Sequence, residues 1–207
     1  MVATRRAVQT RSIDVRRRIL DAAVQVLVRE GYAGTSTLRI QQEAGVSRGR
    51  LLHHYPSRDA LLIAASHQIA STRIAEFVAE QTWPADPGER VEAAVDALAT
   101  SFDQSYFWAA TELWIAARNH EQLRSQILPL ERSLAIEIRN ATASYFGPEL
   151  SAHPEFPDLR EIVFTSLRGM ALTRSFDQRD APYARHVARL KQFAKQVLLP
   201  QTPPGDG

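Results

Sequence analysis

Residues 31–62 read GYAGTSTLRIQQEAGVSRGRLLHHYPSRDALL, and their spacing decides the fold. They predict two short helices, about 37–44 and 48–54, joined by a tight turn and followed by a third helix that starts after Ser57. Ile40, Ala44, Val46 and Leu51 recur at intervals that bring the short helices against each other. Gly45 falls at the turn, where a left-handed backbone costs glycine little. Ser36 and Ser47 stand where a side-chain oxygen caps a helix start. The second short helix turns Arg48, Arg50 and His53 outward. A short helix with a basic outer face, braced by an apolar partner, is the physical recipe for entering the DNA major groove.

A helical hairpin with a glycine turn is common, so the flanks matter. Upstream, a helix starts near the Ser12 cap with Asp14 in its first turn. It buries Val15, Ile19, Ala22, Ala23, Val26 and Leu27 and ends at Glu30, Gly31 and Tyr32. Downstream, His53, His54 and Tyr55 leave the second short helix, the chain turns at Pro56, and Ser57-Arg58-Asp59 restarts it. The whole run resembles the DNA-binding domain of the tetracycline-repressor (TetR) family. The resemblance is carried by Ile19-Leu20 with Ala22-Ala23, Gly31-Tyr32, Thr35-Ser36, Ile40, Ala44-Gly45-Val46-Ser47, Gly49, Leu51, His54-Tyr55 and Ser57-Arg58-Asp59. It implies a DNA contact made by Thr35, Ser36, Thr37, Ser47, Arg48, Arg50, His53 and Arg58, with Arg58 on a phosphate. Two positions depart from the family pattern. Gln41 stands where the family has alanine, so it points outward or widens the helix crossing. Leu52 stands where the family favours a tyrosine whose hydroxyl touches a phosphate, so that contact is either lost or replaced by His53.

The charge distribution agrees with a polyanion-binding end. Net charge is only +2, but residues 1–60 hold eleven arginines against five acidic residues, a net of +6. The remaining residues hold fourteen basic and eighteen acidic side chains, a net of −4. There is no cysteine, which excludes disulfides, thiolate zinc sites and cysteine nucleophiles. No secretory leader and no apolar run of roughly 20 residues occurs, so the expectation is a cytoplasmic protein without a membrane partner.

The expected class is all-α, with about nine helices and no strand. Residues 1–11 read as a basic disordered arm, 12–60 as the DNA-binding domain, 61–200 as a ligand-binding and dimerisation domain, and 201–207 as a tail. Beyond the long helix after Ser57, which reaches about Gln81, further helices are predicted over 89–102, 106–118, 121–146, 159–176 and 183–199. Pro129 should kink the third of these or mark a joint. Residues 148–157, with three prolines, read as a loop.

No histidine pair has the spacing of a helical zinc hydrolase, no glycine loop cradles phosphate, and no nucleophilic triad stands out. No catalytic residue, metal or cofactor is expected. His54 is expected to pack beneath the turn. Phe102, Tyr106, Phe107, Trp108 and Trp114 crowd one window, more rings than one helix face buries. With Glu112, Asn119 and His120 supplying polar groups, Phe102, Tyr106, Trp108 and Trp114 form a candidate effector site. The stretch from Glu112 to Arg118, with Leu123-Arg124 and 129–132, resembles the ligand-binding half of the same family. Two stripes are candidate dimer surfaces: Leu159, Ile162, Val163, Ser166, Gly169, Met170 and Phe176, and Val187, Leu190, Ala194 and Val197. Gly169 costs about 1 kcal/mol in mid-helix, which close helix approach would explain. The expected protein is a homodimeric regulator that binds a palindromic double-stranded operator and is released by a small hydrophobic or aromatic effector. The alternatives are a ligand-free regulator of the same fold and an all-α enzyme.

Overall fold

The computed structural model describes residues 2–200, with side chains from Ile13 onward; the tail expected at 201–207 lies outside the described residues. Among the described residues there are nine α-helices and no strand. They are α1 (Val2–Gly34), α2 (Thr37–Ala44), α3 (Arg48–His54), α4 (Arg58–Glu80), α5 (Pro87–Ser101), α6 (Ser105–Ala117), α7 (Glu121–Ser151), α8 (Phe156–Arg174) and α9 (Asp180–Leu198). The all-α expectation is met.

The departures are local. Helix α1 begins at Val2 rather than near Ser12, so the expected irregular arm is helical from its second residue. Ala3, Arg5, Arg6, Ala7 and Gln9 are good helix formers, and an apolar stripe is not needed to continue a helix already started. Helical dihedrals fail inside α1 only at Gly31 (φ 67°), so the main rod still ends at Glu30 as expected. Helix α7 runs through Pro129, and its break comes at Gly147 (φ 84°). Pro129 lies on the exposed side, where a displaced carbonyl can bond water. Residues 148–151 stay helical, and α8 starts at Phe156 with Pro157 in its first turn, where the missing N–H costs nothing.

The chain forms two compact units that interleave in sequence. The first comprises residues up to Arg73 together with Ser105–Ala135; the second comprises Ile74–Gln104 and the chain from Ile136 onward. The cuts fall inside α4 and α7. In the first unit α1 packs on α2 and α6, which is why 105–135 joins the N-terminal helices. Its core holds Ile19, Val26, Leu27, Ile40, Leu51, Leu61 and Leu62, each 1% exposed or less. Burying such a side chain contributes roughly 1.5–3 kcal/mol.

In the second unit α5, α8 and α9 pack together. Val91, Ala94, Val95 and Leu98 of α5 meet the buried residues Leu159, Val163, Leu167 and Ala171 of α8 and Val187, Leu190, Ala194 and Leu198 of α9. The three- and four-residue spacing puts each set on one helix face. Lys195 pairs with Glu92, Lys191 with Asp96 and Arg174 with Asp103 around that core. Arg90 donates to the carbonyls of Ser144 and Tyr145, closing the helical run before Gly147.

Candidate functional site

The α2–α3 hairpin is built by short-range chemistry. The Ser36 hydroxyl accepts from the Arg39 N–H at 3.2 Å, and the Ser47 hydroxyl from the Arg50 N–H at 3.4 Å. Removing such a cap costs about 1 kcal/mol. Gly45 sits at φ 62°, ψ 41°, and the N–H groups of Gly45 and Val46 close the end of α2 on the carbonyls of Gln42 and Gln41. Ile40, Ala44, Val46 and Leu51 are all buried, so the two helices are held to one geometry. Gln41 is half-buried.

What α3 leaves outside is basic. Arg48, Gly49, Arg50, Leu52 and His53 are exposed. Among the described residues neither the Arg48 nor the Arg50 guanidinium has an internal partner. The neighbouring arginines differ. Arg39 pairs with Glu30, Arg29 with Glu30 and Glu43, and Arg16 donates to the Tyr55 hydroxyl and to Gln68. A cap uses only the acceptor side of a serine, so Ser36 and Ser47 keep a hydroxyl hydrogen to donate. His54 is half-buried, packed edge-on to His53 at 5.4 Å and beside Tyr55. Thr37 is half-buried at the start of α2.

Two expected contacts point inward instead. Thr35 is 2% exposed, and its hydroxyl donates to the Gly31 carbonyl at 2.7 Å. It pins the turn after α1 and presents nothing to a ligand. Arg58, expected on a phosphate, is spent within the protein. Its Nε donates to Asp59 at 3.1 Å, Nη1 to the carbonyls of Tyr32 and Thr35 at 3.4 and 3.3 Å, and Nη2 pairs with Asp59 at 3.0 Å. Its guanidinium carbon lies 4.3 Å from the Tyr32 ring centre. The Tyr32 hydroxyl donates to Asp59 at 3.0 Å, and burial pushes that phenol's pKa upward. Arg58 therefore clamps the start of α4 to the turn that leads into α2.

The expected effector residues divide. Tyr106, Trp108 and Trp114 are half-buried on α6 in the first unit, where Phe107 packs edge-on to Trp108 at 5.0 Å and to Trp114 at 6.5 Å. Burial raises the Tyr106 phenol's pKa, while Arg73 works against that rise. Glu112 accepts from the Tyr32 N–H at 3.3 Å, so it is tied to the turn after α1. Asn119 and His120 are exposed at the turn between α6 and α7, with the His120 ring 6.0 Å from Tyr32. Phe102 belongs to the second unit, 2% exposed against Phe164. Helix spacing could not show that α6 splits from the residues just before it.

Sequence reading passed over two polar side chains in the first unit. Glu131 is half-buried and lies on the inward stripe of α7 set by Ile127 and Leu134. Burial raises its carboxyl pKa, opposed by a hydrogen bond from Trp114 and by His67. His67 keeps a buried Nε2 with no partner. A carboxylate in register with an apolar stripe was the available signal.

Residues 19–65 match the family model described as bacterial regulatory proteins, tetR family. Over those residues the chain is that of the tetR family of bacterial regulatory proteins. It is similar to the HTH-type transcriptional regulator CymR of Pseudomonas putida, 25% identical over 187 residues, 87% of this chain and 88% of that protein. It is also similar to the HTH-type transcriptional repressor AcnR of Corynebacterium diphtheriae, 33% identical over 100 residues, 48% and 47% of the two chains. A similar solved structure is the multidrug binding protein EbrR complexed with ethidium, with TM-score 0.59, 25% identity, and coverage of 88% of this chain and 97% of that one. Among the described residues no helix is long and apolar enough to cross a membrane.

The two stripes expected at a dimer surface also divide. Leu159, Val163, Val187, Leu190 and Ala194 are buried in the chain's own core, because α5 packs on both helices. The outer face of α8 carries Ile162 (48% exposed), Gly169 and Leu172, and Phe176 (79% exposed) follows just past its end. Met170 and Val197 are half-buried. Ser166 and His186 Nε2 meet at 2.7 Å, joining α8 to α9. A Cβ added at Gly169 would meet nothing within 4 Å, so the chain alone does not require glycine there.

Proposed function

We propose that this regulator is a homodimeric repressor that holds a palindromic operator through α3 and lets go when an aromatic effector binds beside α6. The observation that carries the reading is the capped α2–α3 hairpin with Arg48 and Arg50 outward and unpaired. Arginine is suited to bidentate contact with guanine in the major groove. Ser36, Ser47, Thr37 and His53 are placed to position the hairpin on phosphates, contacts that orient without reading sequence. Residues 12–60 would act as the DNA-binding part, and the rest as effector and dimer parts. The exposed apolar face of α8 supports self-association, since a two-fold axis lets one patch meet itself.

The half-buried rings of α6 support an aromatic effector, and the ethidium complex of EbrR supports the same class. Release requires different affinity for the DNA-competent and DNA-incompetent states. Helix α4 is one continuous helix from Arg58, at the hairpin's clamp, to Glu80, and so can carry that difference. The test is a compound screen read by thermal shift and then by DNA release. Trp108→Ala and Trp114→Ala should bind DNA as the parent does but respond to active compounds about tenfold less. Equal release from both variants would place the effector elsewhere.

A further inference from the structure

We propose that His67, Trp114 and Glu131 form the polar end of a binding site for a planar organic cation carrying at least two N–H donors. The inference rests on the effector reading above and narrows the ligand's chemistry. The three residues come from α4, α6 and α7, all within the first compact unit. The Glu131 carboxylate takes one hydrogen bond, from the Trp114 indole, and no lysine or arginine pairs with it among the described residues. A carboxylate can accept about four, so most of its capacity stays open. The His67 Nε2 is buried without a partner. Native interiors seldom leave a buried polar atom so, and such an atom is a ready partner for an incoming group. Beside Trp114 lies another ring, Phe107, buried and edge-on to it.

The chemistry that satisfies this set is specific. The open carboxylate favours a positive charge. In the tautomer with hydrogen on Nδ1, His67 offers a second acceptor, so a ligand with two N–H groups serves both. The ring faces attract a planar cation through their quadrupoles. The upward push that burial exerts on Glu131 outweighs what Trp114 and His67 return, and a bound cation would add to their side. An anionic ligand would meet the Glu131 charge, and a purely hydrocarbon ligand would leave the His67 nitrogen and the open side of the carboxylate unmet.

Binding of proflavin, a planar diamino cation, is compared with binding of acridine, which lacks the amino groups and is neutral at mildly alkaline pH. Both titrations use the full-length protein and dye fluorescence, without DNA because both dyes intercalate. The parent should prefer proflavin by about tenfold or more. Glu131→Gln keeps an acceptor for Trp114 and removes the charge. It should weaken proflavin about tenfold and leave acridine within about threefold. His67→Phe should cost proflavin a smaller, several-fold loss. Should Glu131→Gln melt early, Glu131→Asp draws the charge back by one methylene and must still weaken proflavin alone. Unchanged proflavin binding in the folded variants, equal loss of both dyes, or no proflavin preference in the parent would each overturn the proposal. DNA release by a non-intercalating library separates this from the effector reading. If a compound releases DNA equally from the parent and from Glu131→Gln, the effector reading stands and this site fails. If proflavin binding depends on Glu131 but no compound releases DNA, the site stands and the effector reading fails.

Discussion

The α2–α3 hairpin and the α8–α9 pair are built alike and finished differently. Each buries one face by three- and four-residue spacing and leaves the other bare. The bare face of α3 carries Arg48, Arg50 and His53; that of α8 carries Ile162 and Leu172, with Phe176 just past its end. Free guanidinium groups are well solvated, so the first face costs nothing while it waits for a polyanion. A row of exposed large apolar side chains gains by being covered, so the second face calls for apolar surface, which a second copy would supply in the proposed dimer. The contrast teaches that the kind of unpartnered surface names the partner, and it can be broken at either end.

The largest expected effect is at the apolar end. Gly169→Trp fits the isolated chain, since a Cβ there meets nothing within 4 Å, but it would wedge two copies apart. Circular dichroism should show parental helix content while sedimentation shows a monomer. Operator affinity should fall roughly 10²–10⁴-fold as the two half-sites uncouple. A variant that stays dimeric would move the interface off this face.

Next comes Arg58, the arginine that looks like its α3 neighbours in sequence and unlike them in structure. Arg58→Ala leaves the carbonyls of Tyr32 and Thr35 and the Asp59 carboxylate without that donor. It should lower stability by about 1–3 kcal/mol in a denaturant melt while the salt slope of DNA binding stays parental. A slope flattened by about one unit with unchanged stability would return Arg58 to a phosphate.

The smallest effect is a pH response of the α8–α9 pair. Burial, and then Arg189, hold His186 below its ordinary value of 6.5. The unfolded chain therefore binds the proton more readily, so this contribution is full above about 6.5 and is lost as pH falls through the lower folded value. Protonation also adds a charge where Ser166 and His186 join α8 to α9. Thermal melts on acidification should show a steeper decline for the parent than for His186→Gln, and identical profiles would remove His186 from the account.

Much of the fold was legible because its signals are local. Ser36, Gly45 and Ser47 act within one helical turn, and both short helices lie where their caps place them. The outward arginines of α3 were legible for the same reason, since a seven-residue helix braced by Leu51 has little choice of face. What failed was tertiary. Nothing near Arg58 in sequence says that Tyr32 and Thr35, 26 and 23 residues away, take its donors. The stripe from Leu159 to Val163 reads as surface until α5 is found packed on it. Glu131 and His67 are common residues in long helices, and only their burial marks them.

The central claim is that the free arginines of α3 read DNA, and a salt titration tests it most directly. An operator selected from a randomised duplex pool is titrated with the parent, Arg48→Ala and Arg50→Ala. Each variant should lose about 1–3 kcal/mol on the selected operator, with relaxed preference at the base it reads and with dimerisation intact. If both bound the operator with the parent's affinity, preference and salt slope, α3 would not be the element that enters the groove.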